Sequence, residues 1–259
     1  MTPHDLFLLA KKKLRKSKHL TLQDLTSDTA TAIIEGLEND EEIGEGRFRY
    51  NFDSISRIFS AYIPTWLHDS VQIAVGDILK DMHETGFLTW SQFKALQLYS
   101  GARHEQFVGA YTGSKKEPDT GVLVKNRTLN GIPTECPLWI NETAYSDSKP
   151  KLQQDIRKWM DGTAGAVVWG IAPKFYKRIN ARIAGTIDFH RGPSVISKSI
   201  FPPPQNPIDD EVSYTRGELF DNSLPLEPDQ TSQDVYVVNV KIFREYATWA
   251  ARRMGLTPV

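Results

Sequence analysis

The stretch KKEPDTGVLV, residues 115–124, combines a proline, an aspartate and the start of an apolar run. Pro118 fixes the backbone, Asp119 follows at once, and residues 122–124 have the composition of a buried strand. Because Pro-Asp is common in turns, Asp119 is either a turn residue or a functional carboxylate at the mouth of that strand. The letters EPD recur at 227–229, where no buried strand follows, and we interpret that second copy as a turn.

The composition is that of a globular protein without a bulk charge that would select a partner. The chain has 259 residues, of which 40% are hydrophobic and 24% charged, and its formal net charge is −1. The single cysteine, Cys136, excludes an internal disulfide framework and indicates a reducing compartment. No stretch reaches the roughly 18 apolar residues that span a bilayer, and the N-terminal order of apolar and basic residues is the reverse of a secretory signal. We therefore expect an intracellular protein, cytoplasmic or nuclear, without a membrane partner.

The sequence pattern divides the chain into an N-terminal extension, residues 1–47, and one domain, residues 48–259. The extension has helical composition and ends in an acidic, glycine-containing linker, so we expect it to be dispensable for folding of the rest. In the domain, helical spacing after Pro64 is followed by strand-type runs, a second helix and further strands. This order predicts an α/β fold with a mixed central sheet flanked by helices. Proline-rich residues 192–234 are expected to form a long C-terminal loop region.

The individual elements are predicted from alternation, apolar runs and capping residues. Asp147 or Ser148 is expected to cap the second helix, with Pro150 in its first turn. The predicted strands are a pair around a turn at 53–56 and the runs 93–101, 106–113, 120–126, 137–145, 165–173, 181–190 and 234–243.

Two carboxylates are predicted to meet where neighbouring strands begin and end. Side chains in a strand alternate between faces, so Glu142 lies in line with the apolar Leu138 and Ile140 near the end of the strand 137–145. If this strand pairs with the one that begins after Asp119, the two acids converge. Carboxylates a few ångströms apart repel unless a hard cation lies between them, and Mg²⁺ or Mn²⁺ prefers oxygen ligands. The alternatives are a turn aspartate and a strand-end glutamate exposed to water.

The order of these residues resembles the PD-(D/E)XK nuclease superfamily, and more closely a group of such proteins in fungal genomes. The similarity covers roughly residues 48–190. It implies a restriction-endonuclease-like αβββαβ core. The matching positions are a His-Asp pair on the first helix, Lys-Glu-Pro-Asp at a strand start, Glu-x-x-x-Ser-x-Ser at the next strand end, and three residues of the following helix: His68, Asp69, Lys116, Glu117, Pro118, Asp119, Glu142, Ser146, Ser148, Leu152, Asp155 and Trp159.

This resemblance implies a metal-dependent phosphodiesterase that hydrolyses nucleic acid, DNA rather than RNA. Asp119, Glu142 and Asp69 would bind Mg²⁺ or Mn²⁺, with Asp69 acting directly or through water. A bound metal activates water and neutralises charge on a phosphodiester. Asp69 stands where the family has a glutamate, and its alternative interpretation is a first-turn acid favoured by the helix dipole.

The lysine that the superfamily has two residues after the glutamate is Ala144 in this chain. That lysine orients the attacking water and stabilises developing negative charge. We take Lys151 and Gln154 of the following helix as the catalytic candidates for its replacement. Further alternatives are Gln153, Lys149 and Lys116.

Basic residues near the predicted site suit a polyanionic partner. Lys174 and Arg182 are two of these residues, which are expected to form a basic edge beside the site. Ala144 also favours a second hypothesis, in which a catalytically silent nuclease-fold protein binds nucleic acid or protein. Contacts with nucleic-acid phosphates are predicted for Lys116, Lys149, Lys158, Lys177 and Arg178.

Overall fold

The structure is a computed structural model that describes residues 1–44, 48–101, 103–129, 131–145 and 148–259. These residues form a mixed α/β protein, as the sequence predicts. The helices are α1 (Pro3–Ser17), α2 (Ser27–Glu38), α3 (Trp66–Glu84), α4 (Trp90–Ala95), α5 (Lys149–Gly162), α6 (Arg216–Phe220) and α7 (Val240–Arg253). The strands are β1 (His19–Leu22), β2 (Arg49–Asp53), β3 (Ile58–Tyr62), β4 (Leu96–Tyr99), β5 (Lys115–Lys116), β6 (Thr120–Val124), β7 (Thr128–Leu129), β8 (Ile132–Pro133), β9 (Trp139–Asn141), β10 (Trp169–Lys177), β11 (Arg182–Arg191), β12 (Ser194–Phe201), β13 (Glu211–Thr215), β14 (Val235–Asn239) and β15 (Thr257–Pro258).

The chain divides into two compact units. The first contains Met1–Thr65 and Ser100–Asp119, and the second contains Trp66–Tyr99 and Thr120–Val259. The first unit therefore extends past residue 47, where the sequence pattern places a boundary. Within the described ranges, every helix is too short or too polar to cross a membrane.

The first unit is built on a four-stranded antiparallel sheet of order β1-β3-β2-β5. Thr2 and Asp5 exchange hydrogen bonds in a capping box that begins α1, and Thr26 caps α2. The apolar stripes of both helices need a partner surface, and they share one hydrophobic core with β1, β2 and β3. This shared core differs from the separate extension that we expected for residues 1–47. Its members include Ala10, Leu14, Leu20, Ile33, Ile34, Leu37, Tyr50, Phe52 and Phe59.

The second unit contains a seven-stranded mixed sheet of order β12-β11-β10-β9-β6-β4, with β15 beside β11. β9 and β10 are parallel, whereas β6 is antiparallel to both of its neighbours. Trp169 and Ile171 of β10 belong to the apolar core that also contains residues of α3 and α7. Gly170 alternates with them and lies within contact range of Ile156 of α5. The sheet is therefore flanked by helices on both faces, which confirms that part of the prediction.

The predicted long C-terminal loop region is wrong over much of its length. Residues 192–234 contain β12, β13 and α6. β12 continues from β11 as an antiparallel hairpin at the edge of the sheet, and its first residues are exposed. An exposed edge strand with serine and lysine lacks the apolar alternation by which strands are predicted. The prolines that follow it are typical of a loop, which is why the pattern predicts a loop here.

Three other predicted strands need correction. The run 234–243 is a strand only in its first half, since α7 begins at Val240. The first half of the run 93–101 belongs to α4, where Thr89 and Gln92 form a capping box, and only its second half is β4. The run 106–113 contains a single 3-10 turn at Gly109–Tyr111. The latter two runs are apolar but short, and short apolar runs do not distinguish a strand from a helical turn. The predicted turn at 227–229 is confirmed.

A close approach at Gly185 gives a stability prediction. Gly185 lies opposite Phe175, and a Cβ at this position would be 2.9 Å from Phe175 Cδ1 and 3.4 Å from Ile200 Cβ, both in fully buried residues. Gly185→Ala is therefore expected to lower the free energy of unfolding by about 1–3 kcal/mol, measured by urea denaturation. Gly170→Ala is the matched control, because its nearest atoms lie 3.4 Å or more away. Equal losses in the two variants would contradict the argument.

Candidate functional site

β6 and β9 are antiparallel neighbours, as predicted for the strand that follows Asp119 and the strand that precedes Glu142. Thr120 is paired with Asn141, and pairing continues inward from there. Asp119 is covalently joined to Thr120, and Glu142 is joined to Asn141. The chain therefore enters β6 and leaves β9 at the same end of this strand pair.

Glu142 is buried at the end of β9, with 3% of the residue exposed. Trp159 of α5, itself fully buried, donates a hydrogen bond from Nε1 to Glu142 Oε1 at 2.6 Å. The Glu142 N–H donates to the carbonyl oxygen of Ile171 at 3.0 Å. An indole N–H is a neutral donor, and this hydrogen bond helps to orient the Glu142 side chain. The alternative interpretation of a water-exposed glutamate is therefore wrong.

Pro173 explains why the strand predicted over 137–145 ends at Asn141. In a parallel ladder the N–H of residue 173 would donate to the Glu142 carbonyl, and proline has no N–H. Pairing resumes at Ala144, which donates to the Pro173 carbonyl at 2.9 Å and accepts from the Phe175 N–H at 2.8 Å. Ala144 thus forms an isolated parallel bridge with Lys174.

Lys174 is the basic residue that the structure brings beside Ala144. Residues that pair across a bridge project to the same side of a sheet, and so do Ala144 and Glu142, which are two residues apart. Lys174 therefore lies on the Glu142 face, with 6% of the residue exposed. Its Nζ lies 3.0 Å from the Phe175 carbonyl oxygen and 4.9 Å from the centre of the Tyr176 ring. Sequence reasoning assigned Lys174 only to a basic edge.

β11 adds a second buried acid to the same face. Asp188 is paired with Ala172, and Ala172 is two residues from Lys174, so all three project to one side. Asp188 is 4% exposed. Its Oδ1 accepts from Ser197 Oγ at 2.7 Å, and its Oδ2 lies 3.2 Å from Lys149 Nζ. Lys149, which is predicted to contact nucleic acid, therefore forms an ion pair within the protein.

Asp119 belongs to the first unit and is 4% exposed. The hydroxyl of Tyr62, the last residue of β3, donates to Asp119 Oδ1 at 2.5 Å. The preceding Glu117 is also buried, and its Oε2 lies 4.0 Å from Arg49 Nη1. Burial and a tyrosine donor do not suit an aspartate in a solvent-exposed turn. Like Glu142, Asp119 is oriented by a neutral aromatic donor.

The other predicted catalytic residues lie at the beginnings of two helices. Asp69 is an exposed acid in the first turn of α3. Ser148 is confirmed as the cap of α5, where its Oγ accepts from the Lys151 N–H at 3.3 Å. Lys151 is half-buried, and Gln154 is exposed. The alternative cap Asp147 and the motif residue Ser146 lie outside the described residues.

The remaining predicted nucleic-acid contacts lie in two environments. Lys116 and Lys158 are buried, with 3% and 0% exposed, and a buried ammonium does not present its charge to a phosphate backbone. Lys177 and Arg178 are exposed at the end of β10, and the Arg178 guanidinium lies 5.9 Å from the centre of the Tyr176 ring. The exposed pair fits a role in phosphate contact.

Among the described residues, no group of three or more His, Cys, Asp or Glu side chains is arranged to hold a metal ion. Mg²⁺ is commonly bound through one or two carboxylates, with waters as its other ligands. Asp119 and Glu142 each offer oxygen donors of the kind that such an ion prefers, and binding of one ion by three acids stays a prediction.

No family model matches the chain, and no curated protein matches it. The resemblance to the PD-(D/E)XK superfamily therefore stays a prediction.

Proposed function

We propose that the chain is a Mg²⁺- or Mn²⁺-dependent phosphodiesterase that hydrolyses nucleic acid, with DNA preferred over RNA. The observation that supports this best is Glu142, a buried carboxylate oriented by Trp159 at the end of β9. The strand paired with β9 begins directly after Asp119, a second buried carboxylate. Carboxylate oxygens are ligands that Mg²⁺ and Mn²⁺ prefer, and both of these carboxylates are held in place by neighbouring side chains.

In this proposal, Asp119 and Glu142 hold the ion, and Asp69 assists directly or through water. The bound ion would lower the pKa of a water molecule and neutralise charge on the phosphodiester. Trp159 and Tyr62 keep the two carboxylates in fixed orientations through their hydrogen bonds.

Exposed basic residues would bring the polyanionic substrate to this site. Lys177 and Arg178 lie at the end of β10, two strands from β6 in the sheet order, and both are exposed. Such contacts supply affinity without sequence preference and weaken as the salt concentration rises.

Lys174 is our candidate for the lysine that Ala144 lacks. It is paired with Ala144 and projects to the face that carries Glu142. A lysine side chain has four flexible carbons, so its ammonium can move between its present carbonyl contacts and a nearby phosphate. Lys151 and Gln154, at the start of α5, remain the alternatives.

Lys174→Met is expected to reduce cleavage about 10²-fold, because a positive charge that stabilises the developing oxyanion is lost. Mn²⁺ affinity and DNA binding should change little, since the carboxylates and the exposed basic pair remain. The measurement is single-turnover cleavage, with calorimetric Mn²⁺ titration and a thermal melt as checks on the fold. Lys151→Met is the comparison variant, and a larger loss there would assign the role to α5 instead.

The alternative function is a nuclease-fold protein without turnover that binds nucleic acid or protein. It is favoured by the buried Ala144, which offers no amine at the usual position. The deciding experiment incubates labelled duplex and single-stranded DNA and RNA with Mg²⁺, with Mn²⁺ and with chelator. Cleavage that needs the metal supports the phosphodiesterase, and binding without cleavage under either metal supports the alternative.

A further inference from the structure

A pocket of about 310 Å³ lies between α5 and the hairpin formed by β11 and β12, all within the second unit. Met160 and Pro193 are among its apolar walls. Arg157, Asp161 and His190 are among its polar lining residues. This volume is at the small end of the range for ligand pockets and suits a molecule the size of one nucleoside.

Three polar side chains of this pocket have hydrogen-bonding groups without a partner among the described residues. Within the described ranges, Arg157 and Asp161 form no ion pair or hydrogen bond, although they are four residues apart on α5. His190 is 8% exposed, and its Nε2 is buried without a hydrogen-bond partner in the described part of the chain. Buried polar groups are normally satisfied, so the His190 Nε2 indicates a space that a polar ligand would fill, and the exposed Arg157 and Asp161 line the same pocket.

His190 is held in its neutral form. Burial lowers the pKa of His190 below its ordinary value, and the charges of Lys149 and Arg157 act in the same direction, against Asp188. A neutral imidazole offers one donor and one acceptor. With a cationic Arg157 and an anionic Asp161, the pocket therefore presents donors and acceptors together, which suits a heterocycle better than a simple anion.

We propose that this pocket binds a guanine base. Guanine presents the acceptors O6 and N7, which match an arginine fork, and the adjacent donors N1–H and N2–H, which match both oxygens of a carboxylate. Arg157 and Asp161 supply these two partners, and the apolar walls pack against the faces of the ring. Adenine lacks the adjacent donors, and uracil places a single N–H between two acceptors that would repel Asp161.

The pocket lies on the face of the sheet that carries Glu142. His190 is paired with Gly170, and Gly170 is paired with Ile140, so His190 and Ile140 project to the same side two strands apart. Glu142, two residues after Ile140, also projects to this side. The choice of a nucleobase over another heterocycle rests on the proposed phosphodiesterase function, in which the pocket would hold a base near the cleaved bond.

The test is calorimetric titration of the full chain with GMP, AMP, CMP and UMP in the presence of chelator. GMP is expected to bind about 10-fold more tightly than the other three, because one matched bidentate pair discriminates by about that factor. Asp161→Asn should abolish the preference, and Arg157→Ala should weaken GMP binding about 10-fold. Asp229→Asn, the same change in an exposed turn outside the pocket lining, should leave both unchanged.

Equal affinities for the four nucleotides would overturn the proposal, as would no GMP binding at about 1 mM or an unchanged preference in Asp161→Asn. Single-stranded dT oligomers with and without one central dG distinguish the two sources of the base. Tighter binding of the dG oligomer indicates a base within a strand, and equal binding of the oligomers together with GMP binding indicates a free nucleotide. Because chelator is present and no cleavage is measured, failure of this test would leave the phosphodiesterase proposal intact.

Discussion

Replacement of Glu142 by glutamine is expected to lower metal-dependent DNA cleavage by about 10²–10³-fold or more, the scale of losing one key electrostatic group. The amide keeps the shape of the side chain, and its oxygen can still accept from Trp159 Nε1. Only the charge that holds the cation is removed. DNA binding should persist or tighten, because one negative charge facing the phosphates is gone.

The assay follows fluorescent duplex and single-stranded DNA with Mg²⁺, with Mn²⁺ and with chelator. Glu245→Gln is the control, because Glu245 is an exposed residue of α7 whose ion pair with Lys241 lies on the surface. Cleavage by the parent protein in chelator, or full activity of Glu142→Gln, would refute the mechanism. If the parent binds DNA and cleaves under neither metal, the silent binding protein is the better description.

Deletion of residues 1–47 is expected to unfold the first unit. The deletion removes α1, β1 and α2, and with β1 it removes one of the two antiparallel partners of β3. The deletion also removes apolar residues that are at most 2% exposed. Burial of each large side chain contributes about 1.5–3 kcal/mol to the free energy of unfolding. The total is on the order of 10 kcal/mol, comparable with the whole stability of a typical domain. The deleted side chains include Leu14, Leu20, Ile33, Ile34 and Leu37.

The measurement is hydrogen exchange in β2 and β3, which are retained in the truncated chain. Their amides should exchange at the rate of an unfolded segment, because Phe52 and Phe59, each at most 1% exposed in the intact protein, lose the helices that cover them. Ile34→Ala in the full chain is a milder comparison variant, and it is expected to lower the free energy of unfolding by about 2–5 kcal/mol. Native-like protection of both strands after the deletion would restore the initial expectation of a dispensable extension.

Local sequence patterns were sufficient to predict the parts of the site that lie close together in the chain. Alternation in CPLWINETAY predicted that Glu142 lies near the end of its strand, and Pro118 predicted that Asp119 stands at the start of the preceding strand. The pairing of the two strands was only a condition of the argument, and the structure confirms it. Ser148 and Pro150 predicted the start of α5, and its apolar spacing predicted that Trp159 is buried. These features depend on turn chemistry and on periodicity within one element, which a single sequence contains.

The polar side chains contributed by β10 and β11 were not predictable in the same way. Lys174, Asp188 and His190 reach the Glu142 face through strand registers that join residues far apart in the chain. Periodicity specifies which residues of a strand share a face, but the register between strands depends on packing of the whole sheet. Pro173 was the one sequence signal that β9 ends early, because a proline within a strand pattern indicates a missing hydrogen bond in the ladder.

The antiparallel pairing of β4 with β6 has a consequence for how this protein tolerates changes of chain length. Tyr99 is opposite Gly121, so the two strands are the arms of a β-hairpin, and its connecting loop is the segment that belongs to the first unit. A loop roughly ten times longer than a two-residue turn costs only about 2 kcal/mol more in closure entropy. Insertions near the ends of this loop, outside β5 and Asp119, are therefore expected to leave the register of β4 and β6 unchanged.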